Sequence, residues 1–258
     1  MKTLLAALAI IAAILGSAQA QSGRPTVVLV HGAFADASSW NGVVGILEKD
    51  GYPVVAAANP LRGVKNDGDY IAALISSIGS PVVLVGHSYG GSVISEAAAG
   101  QENVKALVYV AAFAPEVGET AAELSGKYPG SSLGPTLAKP VALSAGGSDL
   151  YIQQDKFHDQ FAADVPAGQA RLMAATQRPI TEAALNEAQA NAAWKAIPSW
   201  FIYGDADKNI PPRVAEFMAE RAHARKAVTV KGASHVVMVS HPSAVAELIE
   251  QAAGEIAP

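Results

Sequence analysis

Ser88 stands at the centre of Gly86-His87-Ser88-Tyr89-Gly90-Gly91, between the apolar run Pro81–Val85 and an Ala-rich helical segment. Strand, sharp turn and helix in that order present a serine hydroxyl at a strained apex, with glycines leaving the backbone room to turn. The alternative for such a pattern is a Gly/Ser surface loop, which the flanking strand and helix disfavour. A serine hydroxyl is a poor nucleophile at neutral pH. It needs a base within hydrogen-bond reach and a third group that fixes the base's tautomer.

Both occur downstream, and in the order Ser, Asp, His. Tyr203-Gly204-Asp205-Ala206-Asp207 puts two carboxylates in the loop after a strand, and Lys231-Gly232-Ala233-Ser234-His235 puts an imidazole after the last strand. Asp207 is the candidate acid because it lies farther into the loop, whereas Asp205 beside Gly204 suits turn hydrogen bonds. His235 is the candidate base.

Acyl transfer also needs donors aimed at the oxygen that becomes negative. The loop His31-Gly32-Ala33-Phe34 follows the first strand. The backbone amides of Ala33 and Tyr89 are therefore the candidate oxyanion hole. His31 and His87 are read as structural or supporting groups, His158 and His223 as solvated, and His241 before Pro242 as a helix-entry residue. No pair has metal-site spacing, so neither metal nor cofactor is expected. Phe34 and Tyr89 are the candidate substrate-binding residues. Tyr128, Phe157, Met173 and Trp194 are further possible lining, or equally cap core.

The elements that must position these groups alternate along the chain. Short apolar runs at 26–30, 53–57, 81–85 and 104–111 are followed, after the first three, by helix-period segments at 39–49, 69–78 and 92–99. This predicts an α/β protein with a parallel sheet, strands buried on both sides and helices on both faces. Gly51 and Gly100 are expected to close helices, and Ser38 or Ser39 to cap one. After Pro115 the rhythm breaks until Ser199–Tyr203. The interval, about 116–197, reads as a mainly helical cap inserted before the penultimate strand, with helical spacing at 151–163, 166–176 and 181–195. Helix 212–222, strand 227–230 and helix 243–253 complete the pattern.

The first twenty residues have a different character. Met1-Lys2, the apolar stretch Leu4–Leu15 and Ala18-Gln19-Ala20 read as a secretory signal cleaved after Ala20, giving a secreted or periplasmic protein without a stable membrane anchor. The chain of 258 residues has no cysteine, hence no disulfide and no lipid-modified cysteine. A formal net charge of −5 without any Lys/Arg cluster excludes nucleic acid as an expected partner. The 238 residues from Gln21 to Pro258 suit one large domain.

Taken together, Val28-Leu29-Val30-His31-Gly32-Ala33-Phe34, the Ser88 segment, Gly204-Asp205-Ala206-Asp207 and Gly232-Ala233-Ser234-His235-Val236-Val237-Met238 resemble the α/β hydrolase superfamily over essentially the whole chain after residue 20. The spacing of His31 to Trp40 and the Met238, His241-Pro242 continuation look like the branch containing methylesterases, hydroxynitrile lyases and related bacterial hydrolases. The resemblance implies hydrolysis of a small-molecule carboxylic ester. The lyases carry threonine directly after the oxyanion-loop histidine and lysine directly after the catalytic histidine. Gly32 and Val236 occupy those places here, which argues against cyanohydrin cleavage. Ser88 also excludes the aspartate-nucleophile mechanism of dehalogenases and epoxide hydrolases of this fold. Lactone, amide or carbon–carbon bond cleavage on the same residues, and a noncatalytic ligand-binding protein, remain the alternatives.

Overall fold

The computed structural model describes residues 23–256, so the expected signal segment lies outside the described residues. Six parallel strands form the central sheet: β1 (Thr26–Val30), β2 (Val54–Ala57), β3 (Val82–His87), β4 (Val104–Val110), β8 (Ser199–Gly204) and β9 (Lys226–Val230), in the spatial order β2-β1-β3-β4-β8-β9. Strands β1, β3 and β8 are buried along their whole length, as expected for strands that lack polar alternation. The edge strands β2 and β9 are partly exposed, so the expectation of burial on both sides holds for the middle of the sheet and not for its edges.

Helices α1 (Asn41–Lys49), α9 (Val237–Ser240) and α10 (Pro242–Glu255) pack together, as do α2 (Val64–Ser76) and α3 (Gly90–Ala97), while α8 (Pro212–Arg221) rests on β8. Gly51 and Gly100 have φ of +82° and +75° where α1 and α3 end. The first helical turn is capped by Asp36, whose carboxylate accepts from Ser38 N–H at 2.7 Å, rather than by Ser38 or Ser39. Helix α2 starts five residues before the sequence pattern does. The reason is distant in sequence: the Glu187 carboxylate accepts from Val64 N–H at 2.6 Å and Lys65 N–H at 3.3 Å. It supplies the cap that Gly63 lacks.

Between β4 and β8 lies the cap. It holds α4 (Ala121–Ser125), α5 (Gln154–Phe161), α6 (Ala167–Thr176) and α7 (Glu182–Asn186). It also holds a small antiparallel sheet of β5 (Val141–Ala142), β6 (Ser148–Leu150) and β7 (Ile180–Thr181), which the sequence pattern missed because its strands are two or three residues long. Helical spacing over 181–195 is realised only as α7 and a short turn at Ala193–Lys195. Beyond Asn186 the chain runs extended, where Glu187 caps α2 and Gln189 donates to Ser92 O at 3.2 Å and Asn191 O at 2.9 Å. Among the described residues no helix is long and apolar enough to cross a membrane.

The strand order reverses at β1, which has β2 on one side and β3 on the other. At such a switch point the loops leaving neighbouring strands part and open a crevice at the carboxyl edge. The loops leaving β1 and β3 carry Gly32-Ala33-Phe34 and Ser88.

Candidate active site

Ser88 follows β3 with φ of +53°, a left-handed conformation that costs a non-glycine residue energy and turns its side chain away from the sheet. The turn is held by Ser88 N–H donating to Ala111 O at 3.2 Å, and by Ser88 O accepting from Gly91 N–H at 2.9 Å and Phe113 N–H at 3.1 Å. Its tightness depends on small neighbours. A Cβ on Gly86 would sit 2.5 Å from Gly90 O, and one on Gly90 would sit 2.5 Å from Val30 O.

His235 lies in the loop after β9 and Asp207 in the loop after β8. Asp207 Oδ2 is 2.7 Å from His235 Nδ1, and Asp207 Oδ1 accepts from Asn209 N–H at 2.7 Å and Ile210 N–H at 3.0 Å. That geometry puts the proton on Nδ1 and leaves Nε2 as the basic nitrogen. Among the described residues neither Nε2 nor Ser88 Oγ has a hydrogen-bond partner, and Ser88 and His235 line the same cavity. Catalytic contacts of this kind commonly close only around substrate. Asp205 does other work, accepting from Gly232 N–H at 2.5 Å.

The amides of Ala33 and Tyr89 donate to no protein acceptor among the described residues, whereas the next amide, Phe34 N–H, donates to Arg178 O at 3.0 Å. Ala33, Phe34, Ser88, Tyr89 and His235 all line one cavity of about 230 Å³. Its remaining wall is largely apolar, with Phe113, Leu133, Phe161 and Ile210, and among the described residues no lysine or arginine lines it. Tyr128, Phe157, Met173 and Trp194 stay outside this cavity. Phe157 is buried behind Phe161 with ring centroids 4.9 Å apart. Trp194 Nε1–H donates to Pro115 O at 2.9 Å, and Tyr128 packs on Phe217. Met173 faces a separate outer cleft. Phe161 was missed, although it lies four residues after Phe157 on one helix face, the signal by which it is found.

Two histidines support the loops. Asn59 N–H donates to His31 Nε2 at 3.0 Å, so His31 is neutral with its proton on Nδ1, which donates to Gly32 O at 3.0 Å. Burial holds this imidazole down at about 4. Asn59, unremarked in the sequence, also donates from Nδ2 to His31 O at 2.9 Å. His87 Nε2–H donates to His235 O at 3.1 Å, and burial keeps its ring well below the usual histidine range. His158 is not merely solvated, since Nε2–H donates to Val165 O at 2.9 Å, whereas His223 is exposed. His241 stands at the entry to α10 without a side-chain cap bond, and lies 3.5 Å from Asp164. Asp164 also accepts from the Ser234 hydroxyl, tying the cap to the loop that carries His235. No cluster of three or more potential metal ligands occurs among the described residues.

Comparison with known proteins agrees with this architecture. The alpha/beta hydrolase family matches residues 27–248. An alpha/beta hydrolase, nvfD, from Aspergillus novofumigatus is 28% identical over 254 residues, covering 90% of this chain and 98% of that protein. An alpha-hydroxynitrile lyase from Arabidopsis thaliana is 25% identical over 237 residues, covering 83% and 92%. The solved structure of polyneuridine aldehyde esterase superposes with a TM-score of 0.77 at 20% identity, covering 88% of this chain and 98% of that one.

Proposed function

The chain belongs to the alpha/beta hydrolase family, and on that premise we propose that it is a serine esterase, exported to the periplasm or beyond, that cleaves an uncharged carboxylic ester through an acyl-enzyme on Ser88. The observation that carries this reading is the union in one cavity of Ser88, of His235 backed by Asp207, and of two amides that find no acceptor among the described residues.

His235 Nε2 takes the proton from Ser88 Oγ as the oxygen attacks the ester carbonyl. Negative charge gathers on the carbonyl oxygen, where the amides of Ala33 and Tyr89 receive it, each donor contributing about 3 kcal/mol. The intermediate collapses, the alcohol leaves with the proton held by His235, and the acyl group stays on Ser88. Water then gives His235 a proton and attacks the acyl carbon, and the acid departs as Ser88 regains its hydrogen. Asp207 holds His235 in the required tautomer throughout. The apolar wall without cationic side chains favours substrates that bring no anionic group into the cavity.

Cyanohydrin cleavage is disfavoured by two positions. Val236, directly after His235, is fully buried and apolar, and a Cβ on Gly32 would lie 2.6 Å from both His87 O and Ser88 Cβ. The test is hydrolysis by residues 21–258 of nitrophenyl esters with acyl chains from two carbons upward, beside lactone and amide substrates and the Ser88→Ala variant. Ester turnover in the wild type and its loss in Ser88→Ala support the reading. Equal rates in both proteins overturn it. A noncatalytic binder would turn over nothing.

A further inference from the structure

We propose that Asp67 is a positioning residue for catalysis, holding the oxyanion amide of Tyr89 in register through the Tyr89 side chain. The inference rests on the reading of Ser88 as nucleophile.

Asp67 sits in the first turn of α2 and is fully buried. Its carboxylate accepts from the Tyr89 hydroxyl at 2.9 Å, from Arg62 N–H at 3.0 and 3.1 Å and from Gly63 N–H at 3.4 Å. Among the described residues no cationic side chain pairs with it. The nearby Arg62 guanidinium turns instead to Asp149 at 2.6 Å and Pro179 O at 2.9 Å. Burying a carboxylate on dipoles alone is costly, and burial accordingly pushes its carboxyl upward. The Arg62 and Gly63 amides would keep this acceptor with a phenylalanine at 89, which fills nearly the same space, so the Tyr89 hydroxyl is not needed for that turn. The pair therefore calls for a role beyond packing.

Tyr89 supplies that role, because it directly follows Ser88 and its amide is one of the two candidate oxyanion donors, with no acceptor among the described residues. Its backbone is fixed on one side by the strained Ser88 turn and on the other by the start of α3. The hydroxyl bond to Asp67 adds a third anchor, from outside the elbow. Asp67 is itself held by the loop before α2, and the cap holds that loop. Thr181 N–H donates to Leu61 O at 3.2 Å, Thr181 Oγ1 donates to Arg62 O at 3.2 Å, and Glu187 caps the helix that carries Asp67. A continuous set of polar contacts thus runs from the cap to a proposed oxyanion donor.

The test uses Tyr89→Phe, Asp67→Asn and the double variant. Tyr89→Phe lowers kcat by about tenfold or more while KM stays within about twofold, because a misaimed amide weakens the transition state and not the bound ester. The inhibition constant of a boronic acid transition-state analogue rises by the same factor, and that of the product acid does not move. The double variant is no worse than Asp67→Asn alone. Wild-type kcat in a Tyr89→Phe protein that has only a lower melting temperature overturns the proposal. If Asp67→Asn does not fold, Tyr89→Phe decides by itself. Should Ser88→Ala hydrolyse as fast as wild type, the esterase reading fails instead, whatever Tyr89→Phe does.

Discussion

Asp207 Oδ2 lies 2.7 Å from His235 Nδ1, and both side chains are 1% exposed. The contact joins loops after two neighbouring strands at the edge of the sheet, out of reach of bulk water, where it holds one imidazole tautomer firmly.

Asp207→Asn is expected to lower kcat by about 10⁴-fold, because the amide presents a donor to Nδ1 and favours the wrong tautomer. Asp205→Asn, which weakens one bond to Gly232 N–H, changes kcat by less than about threefold. Steady-state kinetics on a nitrophenyl ester, with melting curves as a folding control, check the pair. Equal losses in the two variants would contradict the assignment.

Gly32→Ala places a Cβ 2.6 Å from His87 O and Ser88 Cβ, so the oxyanion loop must shift. A fall in kcat of about 100-fold or more is expected. Ala33→Gly keeps the amide and stays within about tenfold of wild type, since only loop freedom changes.

Phe34 lines both the 230 Å³ cavity and an outer cleft of about 290 Å³. Its ring meets Phe161 edge-on at 6.1 Å, making a partition. Phe34→Ala should merge the two spaces and raise kcat/KM for decanoyl relative to butyryl nitrophenyl esters by about tenfold or more. An unchanged chain-length profile would show that the partition does not limit substrate size.

Much of this was legible in the sequence. The apolar runs marked every strand of the central sheet, and each chemical residue lies within five residues after such a run, so the strand edge that gathers Ala33, Ser88, Asp207 and His235 is implied by local pattern. Contacts between distant segments were not legible. Glu187 caps α2 from 123 residues away, and Asn59 pins His31 across 28. Which cap aromatics line the cavity is unreadable for the same reason: Phe157 packs on Phe161 and Trp194 donates to Pro115 O, while Phe161 and Ile210 reach the cavity.

Acid should destabilise the fold through His31. Its folded pKa of about 4 lies below the ordinary value of 6.5, so the unfolded chain binds the extra proton between these limits. Stability is complete above pH 6.5 and declines as pH falls toward 4, by up to about 3 kcal/mol from this group. His87, depressed in the same direction, adds to the slope. Urea unfolding across pH 4 to 7 checks the trend, and His31→Asn should flatten it. A slope unaltered by that substitution would contradict the neutral, Asn59-bonded imidazole.

The most direct test of the central claim is peptide mapping by mass spectrometry after treatment with a fluorophosphonate. One stoichiometric adduct on Ser88 is expected in the wild type, formed at least about 100-fold more slowly in His235→Ala and absent in Ser88→Ala. A wild-type protein that stays unlabelled, or carries the adduct on another residue, would contradict it.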